Sequence, residues 1–283
     1  MSLQRNQIES VVAMALAEDA PFGDVTSQTF IPAATTAAAE LVAREPGLLA
    51  GAEVFEVAMT ALDDCVKVTL LAADGDRFEA GQPLARVEGP ARAILQAERV
   101  ALNLVQRMCG IATLTARYVA AVADTKARVV DTRKTTPGLR ALERHAVRCG
   151  GAHNHRYSLS DAVMAKDNHL AVVDDIGAAI RRARAELPHT LHLEVEIDRL
   201  DQLDAVLAGG PDTIMLDNFS LDDLVEGVRR IDGRAIVEAS GGITLDTINA
   251  VARTGVDVIS VGALTHSVRA LDLGLDVVVG TRR

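Results

Sequence analysis

The sequence predicts an α/β protein: a small α+β domain with an antiparallel sheet, followed by a barrel or incomplete barrel of βα units. Three observations predict it. Short apolar runs alternate with helical segments from about residue 127 onward, the mark of a parallel sheet. The apolar half of the composition is Ala, Val, Leu and Ile with no Trp and 2% aromatics, which suits helices packed on parallel strands. Each late apolar run is followed by residues able to do chemistry, and in βα barrels the strand C-termini converge on one rim.

Residues 4–19 read as an amphipathic helix with Ile8, Val11, Val12, Ala15 and Leu16 on one side. Pro21-Phe22-Gly23-Asp24 breaks it. Short β-like runs follow at 39–43, 66–72 and 83–87, with a helix near 51–62 and turns at Asp74-Gly75-Asp76 and Ala80-Gly81-Gln82-Pro83. A long helical stretch spans about 91–123 after Gly89-Pro90, with an interruption expected near Gly110. Strands are then read at 127–131, 162–165, 191–197, 212–216, 235–239 and 257–261. The helices between and after them are read near 138–148, 171–186, 199–208, 220–230 and 244–253.

Composition narrows the partners. The chain of 283 residues has a net charge of −10, which argues against a polyanion, and so few aromatics offer no stacking platform for nucleic acid. No apolar run approaches the ~20 residues needed to span a bilayer. The first residues, with Glu9 and Glu18, carry no apolar stretch of a secretory leader. Cys65, Cys109 and Cys149 are odd in number and lack CxxC spacing, so a reducing cytoplasmic compartment is expected.

Within this acidic chain lies a cationic knot. From Arg133 to Arg156 there are six Lys/Arg and one acid, Glu143, a net +5 that leaves −15 for the rest. Cations held this close need something anionic among them, so a small, multiply charged anion is expected as ligand. Thr132-Arg133-Lys134 follows the first barrel strand and Lys166-Asp167-Asn168-His169 the second. The third ends with Glu194 and Glu196 on one face, and the fourth with Asp217-Asn218. Ser240-Gly241-Gly242 follows the fifth, and Val261-Gly262-Ala263 the sixth. Glycines let a backbone approach a ligand, and amides at a helix start attract phosphate. His155-Arg156 suits a carboxylate or phosphate, with Arg forking bidentately. Glu196 and Asp217 suit ribose hydroxyls, Mg²⁺, or ion pairs with the basic groups.

Other patterns carry plainer readings. Arg140, Arg144 and Arg148 are spaced four apart, as on a solvated helix face. Cys149, His153, His155 and His169 lack the paired spacing of a zinc site, and neighbouring cations would repel the metal. Gln96, Arg99, Asn103 and Gln106 form a polar stripe that spacing alone divides evenly between solvent and function.

Together these motifs resemble the quinolinate phosphoribosyltransferase family. The ordered set adds Glu98-Arg99 with Asn103-Leu104, Pro137-Gly138-Leu139-Arg140, Gly150-Gly151 before Asn154-His155-Arg156, Glu194-Val195-Glu196, Leu216-Asp217-Asn218-Phe219, and Leu264-Thr265-His266-Ser267 after Ala263. Met164-Ala165 and Tyr157-Ser158 depart from the usual pattern without removing a charge. The resemblance implies an incomplete TIM-like α/β barrel at 109–269. It also implies an N-terminal α+β open sandwich made of 1–108 and a returning segment, 270–283.

It further implies a homodimer in which Arg99 completes the neighbour's site. The implied reaction joins quinolinate to 5-phosphoribosyl-1-pyrophosphate (PRPP) with Mg²⁺, giving nicotinate mononucleotide, pyrophosphate and CO₂. Lys134, Lys166, Glu196 and Asp217 are the expected catalytic residues, with Glu196 and Asp217 also the candidate Mg²⁺ ligands. Arg99, Thr132, Arg133, His155 and Arg156 are expected to bind substrate beside them, with Ser240, Gly241, Gly242, Val261, Gly262 and Ala263 at the phosphate. The rivals are a related phosphoribosyltransferase with another acceptor and a non-catalytic barrel that binds phosphorylated metabolites.

Overall fold

The computed structural model describes residues 3–277. The chain divides into two compact units: 1–115 with 135–151 and 267–283, and 116–134 with 152–266. The expected boundaries had put 109–115, 135–151 and 267–269 with the barrel.

In the first unit, α1 (Arg5–Asp19) buries Ile8, Val11, Val12 and Leu16. The short α2 (Val25–Phe30) is capped by Asp24, whose carboxylate accepts the Ser27 N–H at 3.0 Å. Then follow β1 (Thr36–Ala43), β2 (Gly47–Leu48), α3 (Ala52–Thr60), β3 (Lys67–Leu70), β4 (Arg77–Phe78) and β5 (Pro83–Pro90). In the four-stranded sheet β1 lies between β5 and the C-terminal strand Leu273–Val277, and β3 pairs with the far side of β5, all antiparallel. The returning segment thus supplies an edge strand; its remainder, 278–283, lies outside the described residues.

The long helix α4 (Ala91–Ala121) is not interrupted at Gly110. A Cβ there would stand 2.2 Å from the Arg269 carbonyl oxygen, so this glycine serves a close approach of main chains rather than a break.

The second unit carries β6 (Arg128–Val130), β7 (Val163–Ala165), β8 (Leu193–Ile197), β9 (Thr213–Asp217), β10 (Ile236–Ser240) and β11 (Val258–Ser260). α5 (Arg140–Cys149) lies between β6 and β7 in sequence but belongs to the first unit. The strands form one parallel sheet in the order β6-β11-β10-β9-β8-β7. The two edges, β6 and β7, are consecutive in sequence, so the sheet is an incomplete barrel. The segment at His153 extends it beside β6, with His153 N–H donating to the Val129 carbonyl at 2.9 Å and Asp131 N–H to the His153 carbonyl at 3.2 Å.

Between and after these strands come α6 (Asp167–Leu170), α7 (Ile176–Glu186), α8 (Leu203–Gly209, led by a 3₁₀ turn at Leu200–Gln202), α9 (Leu221–Ile231), α10 (Ile248–Arg253) and α11 (Ala263–His266). α7 starts later than its hydrophobic pattern suggested because Asp175 caps it, accepting the Ala178 N–H at 2.9 Å. Every residue of β8 is buried, Glu194 and Glu196 included. Its sequence still alternates, with Leu193, Val195 and Ile197 on one face and the two buried acids on the other.

Candidate active site

The register of the sheet sets the site. Glu196 of β8 lies beside Met215 of β9, which lies beside Glu238 of β10; one step further up, Asp217 pairs with Ser240. Side chains on paired residues point to the same face. Of these, Glu196, Met215, Asp217 and Ser240 line a cavity of about 360 Å³ together with Thr132, Arg133, Lys134, His155, Arg156, Met164, Lys166 and Ser260.

Four fixed cations face this cavity against two carboxylates, Glu196 and Asp217. Arg133 Nε is buried with no hydrogen-bond partner. Such a donor costs free energy unless an acceptor arrives. Arg156 donates from Nη1 to the Ala162 carbonyl at 2.9 Å and touches Met164 Sδ. Burial, and then the neighbouring Arg133 charge, pull its guanidinium below its usual value. Both effects would be relieved by an anion. Lys134 is pinned through its main chain: its carbonyl accepts the Thr265 hydroxyl at 2.8 Å, and its N–H meets Thr132 Oγ1 at 3.1 Å. Lys166 Nζ donates to Glu196 Oε2 at 2.5 Å.

His155 is held from several sides. The fully buried Asp131 accepts the His155 main-chain N–H at 2.8 Å and the Asn154 amide at 2.6 Å. The ring's Nδ1 accepts the Arg156 N–H at 2.8 Å. Its Nε2 lies 3.1 Å from Glu194 Oε2 and 3.5 Å from Glu238 Oε2. Burial opposes charge on the ring, yet hydrogen bonds to Glu194 and Glu238 win and raise it to about 10. Burial, and the charge of Glu238, also hold the Glu194 carboxyl above its usual range. Both ring nitrogens are engaged by the protein, and His155 also lines the cavity. Sequence reading missed Glu238; an acid inside the apolar run Ile236–Ser240, on the same face as Ser240, was the available signal.

Asp217 is oriented by Asn218, whose amide donates to Asp217 Oδ2 at 2.6 Å. Asn218 sits at φ 59, and strained backbone of this kind gathers at functional sites. The next strand end is built against it: Gly241 has φ +94, and a Cβ there would lie 2.2 Å from Asn218 Oδ1. Gly242 also has a positive φ and faces open space. A Cβ on Gly262 would lie 3.1 Å from Lys134 Cδ, so this loop borders the cavity. The Val261 side chain is buried, leaving only its main chain to serve a ligand. Ala263 opens α11.

Other expected features lie in the first unit. Arg99 is exposed on α4. Of its polar stripe, Gln106 serves the fold, donating to the Leu273 carbonyl at 2.7 Å. Of the three spaced arginines on α5, Arg148 is exposed while Arg144 is buried, so they are not one solvated face. Cys149 meets His145, not His153.

A family model described as the quinolinate phosphoribosyl transferase N-terminal domain matches residues 24–109, and that of the C-terminal domain matches 111–276. The chain belongs to the quinolinate phosphoribosyltransferase family. The chain is 48% identical over 275 residues to the nicotinate-nucleotide pyrophosphorylase (carboxylating) of Mycobacterium leprae, covering 94% of this chain and 95% of that one. It is 43% identical over 271 residues to a probable enzyme of the same name from Bacillus subtilis, covering 96% and 93%. The crystal structure of the nicotinate-nucleotide pyrophosphorylase of Francisella tularensis superposes with a TM-score of 0.93 at 37% identity, over 98% of each chain. NadC of Streptococcus pyogenes superposes equally well at 41% identity, again over 98% of each chain. Quinolinate phosphoribosyltransferase architecture therefore extends over both units of this chain.

Proposed function

We propose that the chain transfers the 5-phosphoribosyl group of PRPP to quinolinate, with decarboxylation, giving nicotinate mononucleotide, pyrophosphate and CO₂ in NAD biosynthesis. The observation that carries this reading is the unpartnered Arg133 Nε in a cavity where four fixed cations face two carboxylates. A dicarboxylate beside a pyrophosphate-bearing sugar supplies the negative charge that this arrangement lacks.

Arg133, Arg156 and Lys166 hold the two carboxylates, joined by Arg99 of the partner subunit in a homodimer. Lys166 has three N–H donors, so it keeps Glu196 while reaching a ligand. His155 acts by fixing the turn that presents Arg156. Lys134 and Thr132 meet the pyrophosphate. The Ser240 hydroxyl and the main-chain N–H groups of Gly241, Gly242, Gly262 and Ala263, with Val261 as their buried anchor, receive the 5-phosphate. Glu196 and Asp217 face the ribose.

The bond from C1 to the pyrophosphate oxygen breaks as the ring nitrogen bonds to C1. Positive charge develops on the ribose, where Glu196 and Asp217 stabilise it. The alkylated ring is cationic and accepts the electron pair left when the adjacent carboxylate departs as CO₂; the ring carbon then takes a proton from solvent to complete nicotinate mononucleotide. No covalent nucleophile is needed; the residues position and compensate charge.

Mg²⁺ fits these residues. It takes hard oxygen ligands, few of them from protein, and Glu196 and Asp217 each bring a carboxylate to the cavity. Among the described residues neither belongs to a convergent cluster of three ligands, in keeping with a metal that arrives on the sugar pyrophosphate. When bound, it would neutralise charge on the leaving pyrophosphate. The same reading puts the chain in a reducing cytoplasm, supported by three cysteines free of disulfides. Among the described residues no helix is long and apolar enough to cross a membrane.

Pyrophosphate release from PRPP and Mg²⁺, measured with and without quinolinate, tests the proposal. Release that depends on quinolinate supports it. Release driven instead by another pyridine acceptor, or none with any acceptor, favours the rival enzyme or the binding barrel.

A further inference from the structure

In the first unit, three side chains of different chemistry converge on one atom. His145 Nε2 lies 2.6 Å from Asp74 Oδ2 and 3.4 Å from Cys149 Sγ. His145 and Cys149 stand four apart on the last turns of α5, so they share a face. Asp74 is held by its other oxygen, Oδ1, which accepts the Ala52 N–H at 2.9 Å where α3 begins. All three donor atoms lie within 4.8 Å of one another.

A nucleophilic relay does not account for this. In a Cys–His–Asp relay the thiol and the carboxylate use opposite ring nitrogens, whereas here both face Nε2. Burial, and then the Asp74 charge, push the Cys149 thiol up to about 12, far from a reactive thiolate. A hydrogen bond from Nε2–H to Asp74 accounts for the His145–Asp74 pair but leaves Cys149 Sγ to share that same N–H as a weak acceptor.

Two further features favour a cation. The cluster sits at the C-terminus of α5, the negative end of a helix. Beside it opens a groove of about 550 Å³ lined by Glu53, Asp74 and Asp76. The His145 and Asp74 side chains are each 25% exposed, so solvent reaches the cluster. Arg148, exposed on the same turn, and Arg5, 3.8 Å from Glu53, are opposing charges, and Arg148 favours the thiolate that a metal would bind.

We propose that Asp74, His145 and Cys149 form a site for a borderline divalent cation such as Zn²⁺, with water as fourth ligand. Mixed N, S and O donors suit that class, and a coordinated thiol gives up its proton to solvent. The shift needed is modest: His145 Nε2 and Asp74 Oδ2, 2.6 Å apart, must separate by about 0.7–1.0 Å to reach the spacing of tetrahedral ligands at ~2.0–2.2 Å from zinc.

Co²⁺ titrated into the full-length protein is the test, read by the thiolate-to-cobalt charge-transfer band. The expected result is saturation at one equivalent. The band vanishes in Cys149→Ser, weakens at least tenfold in affinity in Asp74→Asn, and is unchanged in Cys65→Ser. Circular dichroism melting keeps folding separate: Zn²⁺ raises the Tm of the wild type but not of Cys149→Ser. Absence of both the band and the Tm shift, or a band that survives in Cys149→Ser, overturns the proposal. Metal bound through Glu196 and Asp217 gives no thiolate band, so the result is independent of the active-site reading.

Discussion

Arg133 holds a buried Nε–H with no acceptor, and the proton affinity of Arg156 is lowered by burial and then by the Arg133 charge. Acids offset part of this charge: Glu194 and Asp161 act on Arg156, and Glu196 pairs with Lys166. Removing one of these cations deletes an interaction made to developing or transferred charge. Arg133→Ala and Lys166→Ala are each expected to lower kcat/KM by ~10²–10³, the scale of losing one preorganised donor. Steady-state kinetics with quinolinate and PRPP check this, and near wild-type values in either variant would remove that residue from the site. The cations were legible in the sequence because they cluster locally, in runs such as Asp131-Thr132-Arg133-Lys134 and Asn154-His155-Arg156. What His155 does was not legible, because its partners come from two other strands and only their register brings them together.

At the scale of elements, the six strands were legible because each is a short apolar run with chemically distinctive residues at its end. The longer helices were legible too, though starts shifted where a cap or a 3₁₀ turn intervened, as at Asp175 and Leu200; the one-turn α6 and α11 were not, being too short to show a period. Two-residue strands such as Gly47–Leu48 have no sequence period to read. Gly110 misled because a glycine in a helix marks either a weak point or a close approach, and the neighbour that decides, Arg269, is distant in sequence. α5 shows the same limit. Its Glu143 is 1% exposed, pairs with Arg107 at 2.6 Å and accepts the Thr136 N–H at 3.1 Å. This acid inside the cationic knot ties the loop at Thr136 to the helix. Glu143→Ala removes the carboxylate from the Thr136 N–H and from Arg107, which keeps the Thr136 hydroxyl, and is expected to cost about 3 kcal/mol of stability, as for breaking a buried ion pair. Urea unfolding would show it as a lower midpoint at unchanged slope; a loss under ~0.5 kcal/mol would mean that the pair is not a structural tie.

At the scale of the molecule, a chain of net charge −10 concentrates its cations where a small anion, not a polymer, is the fitting partner. The chain passes repeatedly between its two units, so domain limits read from local composition differed from the compact units, above all at 135–151. The proposed homodimer makes a further prediction. Arg99→Ala and Arg156→Ala chains, each inactive alone, should recover about a quarter of wild-type activity when mixed, since half the dimers then hold one intact site. No recovery despite proven subunit exchange would count against the shared site.

The central claim is that one cavity at the strand ends takes a dicarboxylate beside a sugar pyrophosphate. A crystal structure with quinolinate and a stable PRPP analogue measures this most directly. The account predicts quinolinate carboxylates on Arg133, Arg156 and Lys166, the ring nitrogen facing C1, and the 5-phosphate on the Gly241–Gly242 and Gly262 loops. Quinolinate bound elsewhere, or in this cavity with Arg133 Nε still unpartnered, would contradict it.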